Sequence, residues 1–205
     1  DTIISMCYSH DHKWLVSVGY EGKVCFTSTT PSSRGDHRII TLDLELKHRG
    51  RSVSISPQQP KDQTYEIAVA SDDQRVTICT VDLTASVPEH ETITYFSGRD
   101  RWAWDGEMLS SDRVLVGMNG GIGVLGGMSN LDSKAPRWVS LARTQRYVNV
   151  LSVASHITDD GHFVMAALEE PGNVYAFRIY AEEDSHRIKK RDAQQLAGVL
   201  KRARR

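Results

Sequence analysis

Short apolar strands separated by polar turns recur along this chain with a period of about fifty residues. Each copy has an apolar strand, a polar turn, a second apolar strand, a tight turn with Gly or Asp, and a third strand. When Val24, Val76, Ile122 and Val174 are taken as equivalent anchors, the copies are 46 to 52 residues apart. A period of this size indicates a small unit that buries its apolar surface only against neighbouring copies of itself.

Four copies of the unit can be read from the sequence, and a further strand candidate follows each of the first three. The copies span Ile3–Thr27, Arg51–Ile78, Arg113–Leu125 and His162–Phe177, and the further strands are Ile39–Leu42, Thr92–Phe96 and Arg137–Leu141. Runs such as Ile67–Ala70 are apolar throughout, which is typical of strands covered on both faces. Four strands per period is the unit of a β-propeller. We therefore predict an all-β fold, a β-propeller of about four recognisable four-stranded blades over residues 1–182.

Two segments resemble a known repeat family. Ile67–Ile78 and Trp14–Val24 are similar to the strand–turn–strand core of WD repeats. The Trp-Asp dipeptide of that family is missing, because Thr27, Cys79, Leu125 and Phe177 occupy the Trp position. Trp104-Asp105 does occur, but the pattern places it before a strand. The resemblance implies a divergent WD-repeat-like propeller that acts as a protein-interaction scaffold.

The number of copies is small for such a ring. WD-repeat propellers usually have seven blades, and an open stack leaves exposed sheet edges, which favour aggregation. We therefore expect the four copies to be part of a larger ring. Because the sequence starts at Asp1 and not at Met, we expect the missing blades elsewhere in the polypeptide; the alternative is that a partner chain supplies them.

Composition narrows the class of protein further. The formal net charge is −1, so the molecule as a whole is not a nucleic-acid-binding body, and no apolar run reaches the ~20 residues that span a bilayer. Cys7, Cys25 and Cys79 have no CxxC spacing, which argues against a disulfide framework or a zinc site. The chain has no N-glycosylation sequon and no secretory signal pattern. These features predict an intracellular protein without membrane contact.

No motif predicts catalysis or a bound cofactor. Gly121–Gly126 has the letters of a Gly-x-Gly-x-x-Gly motif, but no helix pattern follows it, as dinucleotide binding requires. We expect a hairpin there. His10 and His12 flank Asp11 in a predicted turn, and no further metal ligand is placed beside them. We predict that the protein is not an enzyme; the alternative is a propeller hydrolase with a site lining its channel.

An aromatic and basic segment is the predicted partner surface. Arg99, Arg101, Trp102 and Trp104 lie within six residues, and Trp and Arg are enriched at binding hot spots. The alternative is that Trp102 or Trp104 packs between blades, since large aromatic side chains are mostly buried.

The tail, residues 183–205, is predicted to be a separate basic segment with a short helix. Two basic clusters about ten residues apart have the form of a bipartite nuclear-localisation signal; they comprise Lys189, Lys190, Arg191, Lys201, Arg202, Arg204 and Arg205. We predict a nuclear protein, with a cytoplasmic location as the alternative. The tail could equally dock on the propeller, bind an acidic protein, contact nucleic-acid phosphate or remain solvated.

Overall fold

The computed structural model describes most of the first 180 residues. The described ranges are 2–58, 61–84, 88–96, 102–110, 113–126, 137–143, 149–158, 161–168 and 174–180. Within them the chain forms fifteen strands and no helix. The predicted all-β class is therefore confirmed for the described part of the chain, whereas the predicted basic tail lies outside it.

The strands form four antiparallel sheets in chain order. The first sheet contains β1 (Ile3–Tyr8), β2 (Trp14–Gly19), β3 (Lys23–Ser28) and β4 (Ile39–Asp43). The second contains β5 (Gly50–Ile55), β6 (Thr64–Ser71), β7 (Arg75–Asp82) and β8 (Glu89–Phe96). The third contains β9 (Ala103–Ser110), β10 (Arg113–Met118), β11 (Gly121–Gly126) and β12 (Arg137–Arg143). The fourth contains β13 (Val150–Thr158), β14 (Gly161–Leu168) and β15 (Val174–Tyr180).

The sequence anchors fall on one structural position. Each anchor is the first or second residue of the third strand of its sheet, and each pairs with an equivalent residue of the second strand. These pairs are Val18 with Val24, Ala70 with Val76, Gly117 with Ile122, and Ala167 with Val174. The repeat predicted from sequence is therefore a repeat of strand register. The predicted fourth strands are also present, as β4, β8 and β12.

Two strands were not predicted, and one motif was misplaced. The first strands of the third and fourth sheets, β9 and β13, are absent from the sequence prediction. Trp104 and Asp105 do not precede a strand, because they lie within β9. In the fourth sheet three strands are described instead of the predicted four.

Apolar side chains fill the space between consecutive sheets. In the first layer Val16, Val24 and Phe26 pack against Ile67 and Val69, and all five are fully buried. Burial of a side chain of this size stabilises the fold by about 1.5–3 kcal/mol. The second layer includes Ala70, Val76, Val114 and Val116, and the third includes Leu115, Ile122, Val153 and Val164. Each sheet thus has a forward face, which bears its anchor residue, and a back face, and the forward faces of the first three sheets cover the next sheet.

The first strands of consecutive sheets are joined by a repeated hydrogen bond. The first-strand residue in line with the anchor accepts a backbone N–H from the first strand of the next sheet. Ser5 Oγ accepts from Val53 N at 3.2 Å, Ser52 Oγ from Gly106 N at 3.2 Å, and Asp105 Oδ2 from Val153 N at 2.8 Å. We call these three contacts the inter-sheet bonds. They fix the register of one sheet on the next, because each acceptor lies in the same cross-strand row as its anchor.

Two further contacts lie two residues along the same strands. Ser54 Oγ accepts from Met108 N at 3.0 Å, and Ser155 Oγ donates to Glu107 Oε1 at 2.9 Å. Burial raises the pKa of the Glu107 carboxyl above its usual range, against the opposing effect of the hydrogen bonds from Ser155. The second carboxylate oxygen of Glu107 is buried and has no hydrogen-bond partner among the described residues.

Ser54→Ala tests the contribution of these contacts to stability. The substitution leaves the Met108 N–H without its acceptor, so the free energy of unfolding should fall by about 1–3 kcal/mol. Urea unfolding measures the loss. Ser32→Ala, which removes an exposed loop hydroxyl that accepts from Arg34 N, should change it by less than about 0.5 kcal/mol. Equal effects of the two substitutions would contradict a structural role for the Ser54 contact.

Glu107→Gln tests the effect of burying a carboxyl between sheets. Because the folded-state pKa lies above the unfolded value, the contribution of Glu107 to stability is greatest below about pH 4.3, the ordinary Glu value, and is lost as pH rises through the raised pKa. Gln does not titrate, so the variant should gain stability relative to the wild type between about pH 4 and pH 7. Urea unfolding at several pH values measures this difference. Parallel pH profiles would show that burial does not perturb Glu107.

Candidate partner-binding surface

The topology brings two of the predicted partner residues, Trp102 and Trp104, to one end of the stack. In a four-stranded antiparallel sheet, the turn between the second and third strands lies at the same end as the start of the first strand. The connection from one sheet into the next also reaches this end. Tyr20, Asp72 and Asn119 occupy equivalent positions in these turns, directly after β2, β6 and β10. They therefore lie near the residues that open β5 and β9.

The two tryptophans lie together at this end. Their ring centroids are 5.9 Å apart at a tilted angle. The Trp104 indole N–H donates to the Asn119 side-chain oxygen, and Asn119 N donates to the Trp102 carbonyl oxygen at 3.2 Å. Trp104 is half-buried, whereas 40% of Trp102 is exposed. Asn119 thus holds the pair in place and leaves one indole accessible.

Two arginines extend the aromatic pair across the second sheet. The Arg51 guanidinium lies over the Trp104 ring, 4.7 Å from its centroid, and that of Arg49 lies 5.0 Å from the centroid of Tyr20. Such cation–π contacts stabilise by about 0.5–2 kcal/mol. Both arginines also donate to the carboxylate of Asp72, and Arg49 donates to the Tyr20 hydroxyl. The hydrogen bond to Asp72 raises the pKa of the Arg49 guanidinium.

These residues form one continuous surface, which we call the arginine–aromatic cluster. It consists of Tyr20, Arg49, Arg51, Asp72, Trp102, Trp104 and Asn119. Its two arginines share one carboxylate, so the cluster has a net positive charge. Tyr20 is 55% exposed, and together with Trp102 it presents aromatic surface at both ends of the cluster. Accessible aromatic rings beside partly neutralised arginines are the usual composition of a protein-binding hot spot.

The sequence prediction captured one part of this cluster. Trp102 and Trp104 belong to it, whereas Arg99 and Arg101 lie outside the described residues. Arg49, Arg51 and Tyr20 were missed. The repeat register could have found the arginines, because Arg49 and Arg51 precede the acceptor Ser52 by the same spacing at which Trp102 and Trp104 precede Asp105.

The sequence motifs that were considered for a dinucleotide site and a metal site form a strand and a turn. Gly121–Gly126 forms the strand β11, which excludes the helix that a dinucleotide site would need there. His10 and His12 lie in the turn between β1 and β2, where Asp11 accepts from the Ser9 hydroxyl at 2.7 Å and from Lys13 N at 3.2 Å. In the described part of the chain, no group of three or more His, Cys, Asp or Glu residues is placed to hold a metal ion.

The three cysteines are free. Burial raises the pKa of Cys7 and of Cys79 to about 12, so both thiols stay protonated at neutral pH and are weak nucleophiles.

As regards membranes, the described residues contain no helix of the length and apolarity that a membrane crossing requires. The basic clusters of the tail, from Lys189 to Arg205, lie outside the described residues.

Comparison with known proteins gives a likeness of fold. No family model matches the chain, and no curated protein matches it. Among solved structures 141 chains match, including that of U3-55K, a WD40 propeller protein. That match has a TM-score of 0.60 at 13% sequence identity, and it covers 87% of this chain and 46% of that chain. The chain is therefore similar in fold to part of a WD40 propeller and spans less than half the length of that relative.

Proposed function

We propose that the protein is a non-catalytic interaction scaffold, a propeller subunit of a nuclear multiprotein complex or a substrate receptor. The four sheets form part of a larger ring, and the arginine–aromatic cluster is the surface that binds the partner. The likeness to a WD40 propeller supports a protein-interaction scaffold at this coarse level. The complex and the partner are part of the proposal.

The single observation that supports this function is the continuity of the cluster over three sheets. Side chains of the first, second and third sheets meet at one end, from Tyr20 through Arg49 and Arg51 to Trp104. A surface that spans several sheets is rigid, so little free energy is lost in ordering it when a partner binds. Asp72 neutralises only one of the two arginines. The cluster therefore favours a protein segment with a carboxylate next to an apolar side chain.

Trp102→Ala tests the surface. Removal of the exposed indole should weaken binding of stoichiometric partners by at least about 2 kcal/mol, roughly 30-fold in Kd. Quantitative affinity purification of the tagged protein would identify these partners, and titration of each purified partner would give the Kd. Arg34→Ala, at an exposed residue of the loop between β3 and β4, is the control and should leave Kd unchanged. Equal Kd for Trp102→Ala and wild type would reject this surface.

We propose that the basic tail is a nuclear-localisation signal. Its two clusters, Lys189–Arg191 and Lys201–Arg205, have the bipartite spacing. The same charge would also attract phosphate, which gives the alternative of a nucleic-acid contact.

Deletion of residues 187–205 separates these roles. If the tail is a nuclear-localisation signal, it is needed for nuclear import. A fluorescent fusion that lacks it should then be found in the cytoplasm instead of the nucleus, while its affinity for partners stays the same. As a nucleic-acid contact, deletion would instead abolish salt-dependent binding of the purified protein to DNA or RNA. Unchanged nuclear fluorescence after deletion would contradict the role of the tail as a nuclear-localisation signal.

A further inference from the structure

The back face of the first sheet has an exposed apolar residue at a position that is buried in the other three sheets. Met6 is equivalent to Val53, Gly106 and Val153, since each of these residues follows the acceptor position in its first strand. Val53 and Val153 are buried, whereas Met6 is 59% exposed. Tyr8 and Ile39, on the same face, are exposed as well. The back face of the first sheet thus carries apolar side chains as a covered face does, but no other described strand covers it.

The forward face of the fourth sheet shows the complementary arrangement. Its anchor Val174 and its neighbour Met165 are both 48% exposed. The equivalent residues of the three covered forward faces are Val24, Val76 and Ile122 for Val174, and Val16, Ala68 and Leu115 for Met165, and all six are buried. Exposed apolar surface of this kind marks a site of association or of aggregation.

The inter-sheet bonds point to the geometry of that association. Ser152 occupies the acceptor position held by Ser5, Ser52 and Asp105 in the other sheets, because it pairs with Ala167 in the row of the anchor Val174. Its O–H donates to Asp105 Oδ2 at 3.0 Å, and the hydroxyl oxygen keeps lone pairs that can accept a further hydrogen bond. At the other end of the stack, the backbone N–H of Met6 occupies the donor position of Val53, Gly106 and Val153. One chain therefore presents both halves of a further inter-sheet contact, the acceptor on its last sheet and the donor on its first.

We propose that two copies of this chain associate head to tail and close a ring of eight sheets. The forward face of each fourth sheet would cover the back face of the partner copy's first sheet, with Ser152 accepting from the partner copy's Met6 N–H. This proposal rests on the propeller fold and not on the arginine–aromatic cluster.

Three physical points favour a second copy as the occupant. Both halves of the contact are on the same chain, so the surface is complementary to a copy of itself. The four described sheets do not close on themselves, because Met6 and Met165 are both exposed. A head-to-tail contact gives a closed assembly only when its rotation completes a circle, and eight sheets lie within the usual range of about four to eight blades.

The oligomeric state of the purified 205-residue chain tests this proposal. Light scattering after size exclusion should give twice the monomer mass of 22.9 kDa. Met6→Asp and Met165→Asp each place a carboxylate in both contacts of the ring and should each give the monomer mass. Since both side chains are exposed, neither substitution disturbs the core, and unchanged far-UV circular dichroism would confirm folding. Trp102→Ala, at an exposed side chain away from both faces, is the control and should remain dimeric.

A mixture of the two variants makes the test specific for head-to-tail pairing. A heterodimer of Met6→Asp with Met165→Asp has one contact free of both substitutions, so mixing should restore the dimer mass that neither variant gives alone. A monomeric wild type would overturn the proposal, and would assign the faces to another segment of a longer polypeptide or to a different protein. A mass that rises beyond two copies with concentration, or a dimer unaffected by either substitution, would overturn it too.

Discussion

The fold depends on one contact between the first strands of consecutive sheets. A side chain in line with each anchor accepts a backbone N–H from the next first strand, through Ser5, Ser52 and Asp105 in turn. Apolar side chains supply most of the free energy of stacking, but apolar contact is non-directional. The hydrogen bonds are directional, and a buried N–H without an acceptor destabilises the folded state. They therefore select the register in which Phe26, Val76 and Ile122 meet the following sheet.

This register also places the candidate binding surface. One residue lies between Arg49 and Arg51, and one between Trp102 and Trp104, and each pair ends directly before an acceptor of the inter-sheet bonds. Once Ser52 accepts from Gly106 N, the second and third sheets are aligned so that Arg51 lies over the ring of Trp104. The cluster thus follows from the same contact that stacks the sheets. In the proposed function it supplies a rigid, partly cationic aromatic surface, and in the proposed ring it lies clear of both contact faces.

The sequence predicted the strands that are covered on both faces, and of the four first strands, which carry polar side chains inward, it predicted β1 and β5 and missed β9 and β13. β6 and β10 are almost continuously apolar, and their hairpins to β7 and β11 have clear turn residues. β9 reads AWDGEMLS, and β13 contains Ser152, Ser155 and His156. Their polar residues make the contacts between sheets, and for that reason they interrupt the apolar pattern by which strands are recognised. Trp102 and Trp104 were predicted from residue type alone, whereas Tyr20 joins them only through the stacking of the first sheet on the second, which no local pattern shows.

Residue-resolved amide hydrogen exchange tests the central role of the inter-sheet bonds most directly. The amides of Val53, Gly106 and Val153 should exchange as slowly as the core amide of Ile67, although all three lie on first strands and bond to side chains. Ser5→Ala should accelerate exchange at Val53 and leave Gly106 unchanged. Exchange at all three amides as fast as in the exposed loop between β3 and β4 would contradict the account, because the sheets would then be stacked without these bonds.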